Sequence, residues 1–103
     1  MLAIFPTEAP RGLRLVGDLW SENAHLLTDA LRAVDGAPGD ITLDLADVSF
    51  LDTIGLHAIA RAAAELDGHR RVVLASAEPW LRKLLLLSGI DSFPNVELRE
   101  RSP

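Results

Sequence analysis

The sequence predicts an α/β fold: one single-layer, mostly parallel sheet packed with about three to four helices. Two observations carry this prediction. Segments in which apolar residues alternate are interleaved with segments in which they recur every three or four residues, and Gly- or Pro-containing stretches separate them. The resulting order is β, β, α, β, α, β, α, β. At 103 residues, the chain is expected to form one domain over residues 1–103.

The first two strands are expected to pair antiparallel. Residues 2–5 (LAIF) form a short apolar run that we expect to end at Pro6, as an edge strand. Residues 13–17 (LRLVG) alternate and predict a second strand that closes at Gly17. The turn between the two runs is short, which favours a hairpin-like connection.

The first helix is predicted over Ser21–Val34, with Ser21 as N-cap and Gly36 as the stop. Its apolar stripe is formed by Ala24, Leu27, Ala30, Leu31 and Val34. The third strand follows over residues 41–48, where Ile41, Leu43 and Leu45 share one face.

The second helix is expected to start at Thr53 and to end at Gly68. Its apolar stripe consists of Leu56, Ile59, Ala60, Ala63 and Leu66, and the opposite side carries His57, Arg61 and Glu65. A strand over residues 71–75 comes next. A helix that begins at Pro79 and stops at Gly89 follows, and a last short strand lies within residues 95–99.

The inner face of the last helix is assigned to Leu81, Leu84 and Leu85. Trp80 and the leucine run are expected to be core. Leu86 or Leu87 falls outside that face, which leaves either an exposed apolar spot or an overfull core helix. We favour the overfull core.

Composition narrows the function. The chain has no cysteine, so disulfides, thiolate metal sites and a cysteine nucleophile are excluded, and a cytoplasmic location is weakly favoured. A net charge of −5 with 10 scattered basic residues argues against nucleic acid. No apolar run reaches a membrane span. His25, His57 and His69 lack metal-ligand spacing, and no phosphate-binding glycine motif is present, so we expect no cofactor and no metal.

Candidate functional residues follow the second and third strands. In parallel sheets, functional loops lie at the carboxyl ends of the strands. Here these are residues 17–23 (GDLWSEN) and 48–55 (VSFLDTIG). If the two strands are neighbours, Asp18, Trp20 and Ser21 lie close to Asp47, Asp52 and Thr53. Trp20 is then either an interface residue or a half-buried cover of the sheet edge.

The Asp52–Thr53 pair also has two interpretations. It can simply cap a helix, which contributes about 1 kcal/mol. Gly55 in the first turn is not explained by capping, and it indicates the close approach of a backbone or a partner. A phosphate on Thr53 would be tolerated by the helix N-terminus, yet it would confront a docked protein with a bulky charge of about −2. Such a site would switch binding without switching the fold.

The chain resembles the STAS domain family, the sulfate-transporter and anti-sigma-factor-antagonist family. Residues 13–31 (LRLVGDLWSENAHLLTDAL) are similar to the family's second strand, its G-[ED]-L-D turn and its first helix. Residues 41–63 (ITLDLADVSFLDTIGLHAIARAA) resemble its strand, Asp-[Ser/Thr]-x-Gly-Leu turn and helix. Residues 79–96 (PWLRKLLLLSGIDSFPNV) are similar to its closing helix.

Small free-standing members of this family are anti-sigma factor antagonists. The resemblance implies that the protein binds a kinase that acts as anti-sigma factor, that this kinase phosphorylates Thr53, and that a phosphatase reverses the modification. The expected phosphoacceptor is Thr53. The residues expected to contact the partner are Asp18, Trp20, Ser21, Asp47, Ser49, Asp52, Ile54, Gly55, Leu56 and His57. We expect a monomer or a weak dimer.

Two other functions remain open. Ile54 and Trp20 make the surface more apolar than a phosphoswitch needs, which favours a scaffold or sensor module that binds another domain or a small ligand without phosphorylation. A small hydrolase that uses Asp52 and Thr53 ranks last, because a threonine nucleophile needs a base that the sequence does not clearly supply. We therefore expect a protein that is not an enzyme.

Overall fold

The computed structural model describes residues 1–34, 39–66 and 70–99. The strands are β1 (Leu2–Glu8), β2 (Arg11–Leu19), β3 (Ile41–Leu51), β4 (Val72–Ala75) and β5 (Val96–Leu98). The helices are α1 (Ala24–Val34), α2 (Thr53–Glu65) and α3 (Pro79–Ser88), and a 3₁₀ helix (Ile90–Ser92) follows α3. The order of strands and α-helices is the predicted one. The helix stops predicted at Gly36 and Gly68 lie outside the described residues.

The strands form one five-stranded sheet in the order β1-β2-β3-β4-β5. β1 and β2 are antiparallel, and every other neighbouring pair is parallel. This confirms the predicted mixed sheet with an N-terminal antiparallel pair. Because β2 and β3 are parallel neighbours, their carboxyl ends lie side by side, as the prediction of the candidate site required.

The predicted ends of the first two strands were wrong. β1 runs through Pro6 to Glu8, because it lies at the sheet edge, where a residue without an N–H is tolerated. β2 runs through Gly17 to Leu19. Gly17 has φ of +105°, and a Cβ atom there would overlap the carbonyl oxygen of Met1. This glycine therefore permits the close approach of β1 and does not end the strand.

β3 also extends beyond its predicted end at Val48, as far as Leu51. Its pairing with β2 shifts register twice, between Arg14 and Val16 and between Gly17 and Asp18, each time with an extra residue on β3. Such bulges change which side chains face the core. Val48 and Leu51 are both buried although they are three residues apart, and Phe50 is exposed.

α1 begins at Ala24, so the prediction of Ser21 as its N-cap was wrong. The preceding residues form a turn held by Asn23. The Asn23 side-chain oxygen accepts a hydrogen bond from the Trp20 backbone N–H at 3.0 Å, and its amide nitrogen donates to the Asp18 carbonyl at 2.8 Å. The two bonds hold residues 18–23 in a turn that precedes the helix.

The apolar stripes of the three helices pack on the sheet as one core. Leu27, Leu31, Leu56, Ile59, Ala63, Leu81 and Leu85 are all buried. α3 has its predicted limits, with Pro79 in its first turn and Gly89 at its end with φ of +76°. None of the helices formed by the described residues is both long and apolar enough to cross a bilayer.

The interpretation of Trp80 and of the leucine run as core was partly wrong. Trp80 and Leu86 are each 45% exposed, and Leu87 is 77% exposed. The reason is helix geometry: with Leu81 and Leu85 turned inward, Leu87 lies about 200° around the helix from Leu85. The overfull core is therefore excluded, and the exposed apolar spot is the correct alternative.

Candidate functional site

The start of α2 is built by Asp52. Its carboxylate oxygen Oδ1 accepts a hydrogen bond from the Gly55 backbone N–H at 2.8 Å, and its carbonyl oxygen accepts one from the Leu56 N–H at 3.0 Å. Asp52 is thus the N-cap, and Thr53 is the first residue of the helix. The Thr53 side chain is exposed, so its hydroxyl is presented to solvent at the positive end of the helix dipole.

Gly55 is explained by the fold. A Cβ atom at this position would overlap the carbonyl oxygen of Leu19 and would lie 2.9 Å from the Leu51 side chain. The approach indicated by the sequence is therefore that of the β2 backbone. This contact fixes the first turn of α2 against the ends of β2 and β3, so it sets the position of Thr53 relative to the loop after β2.

Asp18 and Ser49 come together at the same end of the sheet. The Ser49 hydroxyl donates to Asp18 Oδ1 at 3.2 Å, and the amino group of Met1 lies 3.4 Å from Asp18 Oδ2. The Asp18 backbone is paired with that of Phe50. The predicted proximity of the loop after β2 to the segment before α2 is therefore present in the structure.

Three large apolar side chains at this end are exposed: Trp20 by 37%, Phe50 by 48% and Ile54 by 52%. Sequence reasoning missed Phe50, because the bulges of β3 could not be located from the apolar pattern. It also missed Asn23, whose spacing of three from Trp20 was the available signal. We call the half-buried Asp18 and the exposed residues at this end the Thr53 surface: Asp18, Trp20, Ser49, Phe50, Thr53 and Ile54.

The other predicted contact residues lie around this surface or beneath it. Ser21 and His57 are exposed, and His57 follows Thr53 by one helical turn. Gly55 and Leu56 are buried, so they position the turn and offer little surface to a partner. Their contact with a partner stays a prediction.

Asp47 is engaged in an ion pair. The Arg14 guanidinium donates to Asp47 Oδ2 through Nε at 2.9 Å and also through Nη2. This hydrogen bond, followed by the charge of Asp47, raises the pKa of Arg14 above its ordinary value. A partner that used the Asp47 carboxylate would have to compete with Arg14.

The groups around Thr53 are few and simple. Within the described ranges, no group of three or more His, Asp or Glu side chains is placed to hold a metal ion. The Asp52 oxygen Oδ1, next to the Thr53 backbone, is used as a helix cap. What the end of the sheet offers is an exposed hydroxyl with apolar side chains and one carboxylate around it.

Comparison with known proteins identifies the family. The family model "Mlab, STAS domain" matches residues 6–100, which is most of the chain. The chain therefore belongs to the STAS domain family, as its motifs predicted. No curated protein matches it.

A solved structure with the same fold supports this assignment. It is the crystal structure of an anti-sigma factor antagonist from Mycobacterium paratuberculosis, which superposes with a TM-score of 0.75 at 21% sequence identity. The similarity covers 94% of this chain and 84% of the other. The predicted α/β fold is thereby confirmed.

Proposed function

We propose that this protein is an anti-sigma factor antagonist that binds a serine/threonine-kinase anti-sigma factor through the Thr53 surface and is released when Thr53 is phosphorylated. The observation that carries the proposal is the exposed Thr53 hydroxyl at the first position of α2, with exposed Trp20, Phe50 and Ile54 at the same end of the sheet. The similarity to a solved anti-sigma factor antagonist supports the partner class. A phosphatase would restore the binding form, and the protein itself would not be an enzyme.

The position of Thr53 favours a change in binding over a change in fold. Thr53 precedes the buried stripe of α2, and its side chain fills no part of the core. The backbone N–H groups of the first helical turn tolerate an added dianion, although the neighbouring Asp52 carboxylate opposes it. A partner packed on Trp20 and Ile54 would have to desolvate the same dianion, which is costly without a matching cation.

The proposal is tested by measuring the affinity of the purified kinase for three forms of the protein by calorimetry. Thr53→Glu should weaken binding by roughly tenfold or more, since a charge at an interface centre must be desolvated. Thr7→Glu makes the same change near the opposite end of the sheet, where Thr7 is paired with Gly12, and serves as the matched control, which should bind like wild type. Thermal unfolding of both variants checks the fold. Equal affinity of Thr53→Glu and wild type would contradict the proposal.

A second candidate function is a scaffold or sensor module that binds another domain or a small ligand without phosphorylation. It is favoured by the exposed side chains of Trp20, Phe50 and Ile54. Together they form a larger apolar surface than phosphorylation of Thr53 requires. Its signature would be a partner whose affinity falls in Ile54→Ala but is unchanged in Thr53→Glu. Loss of binding in both variants would favour the phosphorylated switch.

A further inference from the structure

A second apolar surface lies on the outer side of α3. Trp80, Leu86 and Leu87 are exposed there, and Phe93 just beyond the 3₁₀ helix is 46% exposed. Lys83 is exposed between them on the same helix. We call Trp80, Lys83, Leu86 and Leu87 the α3 surface. None of these residues belongs to the Thr53 surface.

Leu87 forms a ridge between two grooves. One groove, of about 430 Å³, is lined by Ala77, Pro79, Arg82, Lys83, Leu86 and Leu87. The other, of about 440 Å³, lies between α3 and α2 and is lined by Leu84, Leu87, Ser88, Ile90 and Phe93 on one side and by Thr53, Leu56, His57 and Ala60 of α2 on the other. A ridge flanked by grooves is the surface shape against which a second helix packs its own side-chain rows. The shape thus favours a helical occupant.

The charge of this region is opposite to that of the whole chain. The chain carries a net charge of −5, whereas residues 79–88 (PWLRKLLLLS) contain Arg82 and Lys83 and no acidic residue. As far as the structure describes the chain, no Asp or Glu side chain lines either groove. An occupant that buries Leu87 and contacts the exposed Lys83 gains from acidic residues beside its apolar stripe.

The charge of Lys83 also discriminates between the possible occupants of the α3 surface. Two copies of α3 crossing near their centres on a twofold axis would bring Lys83 close to its own equivalent, with no acidic residue of α3 to compensate. An anionic bilayer would attract Lys83 but would repel a protein with a net charge of −5. An acidic helix of another protein pairs its carboxylates with Lys83 and avoids both the repulsion between two lysines and the repulsion from a bilayer.

We propose that the α3 surface docks an amphipathic helix of a partner protein, with the apolar side chains of that helix on either side of Leu87 and its carboxylates toward Lys83. Anchors spaced by three, four and seven residues on the partner helix would fill the two grooves. Because Thr53 lines the groove between α2 and α3, a helix seated in that groove would compete with a partner docked on the Thr53 surface. The peptide experiment below uses the unphosphorylated protein, so it tests this docking apart from the kinase step.

The probe is a synthetic 18-residue helical peptide with leucine on one face and glutamate on both flanks, and its control carries lysine in place of glutamate. Binding to the full chain is followed by NMR. The two tryptophans report separately: the indole of Trp80 should shift and saturate below about 1 mM peptide, whereas that of Trp20 should not. The lysine peptide should bind roughly tenfold more weakly or worse.

Two charge-reversal variants sharpen the test. Lys83→Glu should weaken the glutamate peptide by roughly tenfold, and Arg61→Glu, the matched change on the exposed side of α2, should leave it unchanged. Leu87→Ser should reduce binding of the peptide without unfolding the chain, because Leu87 is already exposed.

Four results would overturn the proposal. These are equal binding of the two peptides, no shift of Trp80 up to about 1 mM, a response at Trp20 instead, or an unchanged affinity in Lys83→Glu. Self-association that Leu87→Ser abolishes would show that a second copy is the occupant. Binding to phosphatidylglycerol vesicles that Leu87→Ser abolishes would assign the surface to a membrane.

Discussion

Replacing Gly55 by alanine tests how the fold positions Thr53. The new Cβ atom would overlap the Leu19 carbonyl oxygen, with the Leu19 carbonyl carbon at 3.1 Å and Leu51 Cδ1 at 2.9 Å. Because the obstacle is backbone of β2, relief requires α2 or the β2 end to move. Overpacking of this kind costs about 2–3 kcal/mol at the upper end of its range, and the better helix propensity of alanine returns about 1 kcal/mol.

We therefore expect Gly55→Ala to lower the free energy of unfolding by about 1–2 kcal/mol. For a chain of about 100 residues, each kcal/mol lowers the thermal midpoint by roughly 4–8 °C. Urea unfolding followed by circular dichroism measures the change. Ile54→Ala, at the exposed neighbouring position, is the control and should stay within about 0.5 kcal/mol of wild type. An unchanged or higher stability of Gly55→Ala would mean that the β2 backbone does not limit the space at this position.

The remaining predictions concern the cap and the ion pair. Asp52→Ala should lower the free energy of unfolding by about 1 kcal/mol, because it removes the helix cap. Asp52→Asn can still accept the hydrogen bond from the Gly55 N–H and should lose much less. Equal losses of the two variants in urea titrations would show that the loss of the cap does not cause the destabilisation. Arg14→Ala should leave the urea unfolding midpoint nearly unchanged, because the pair with Asp47 is exposed to solvent. A clear loss of stability would mean that the pair stabilises the sheet. Because Asp47 raises the pKa of Arg14, the stabilisation by this ion pair is fully present at any pH below the ordinary pKa of arginine, and it is lost only as the pH rises above that value. The effect of Arg14→Ala on stability should therefore be the same at pH 6 and about pH 9.

Much of the fold followed from apolar periodicity. The alternation along the first half of β3 and the stripes of α2 and α3 depend on regular geometry, so the buried Leu43, Ile59 and Leu81 were identifiable. The ends of strands were not, because they depend on tertiary pairing. Pro6 is tolerated only because β1 is an edge strand, and Gly17 continues β2 because Met1 packs against it.

The candidate site was predictable to the same extent. The Asp-Thr pair at a helix start is a local signal, and the structure places Asp52 as the cap and Thr53 after it. The proximity of Asp18 to Ser49 required only that β2 and β3 be parallel neighbours. Phe50 could not be found, because two bulges in β3 decide which way its side chain faces. Helical spacing indicated that Leu86 or Leu87 lies outside the inner face of α3, but we favoured an overfull core. Only the packing of α3 on the sheet shows that Leu87 is exposed.

The proposed function requires that partner binding is switched through Thr53. Intact mass spectrometry after incubation with ATP and each candidate kinase-type anti-sigma factor measures this modification. Wild type should gain one phosphate and Thr53→Ala none, and the phosphorylated form should lose its binding to the kinase. A phosphate retained in Thr53→Ala, or a kinase that binds the chain tightly and never modifies it, would show that Thr53 is not the switch.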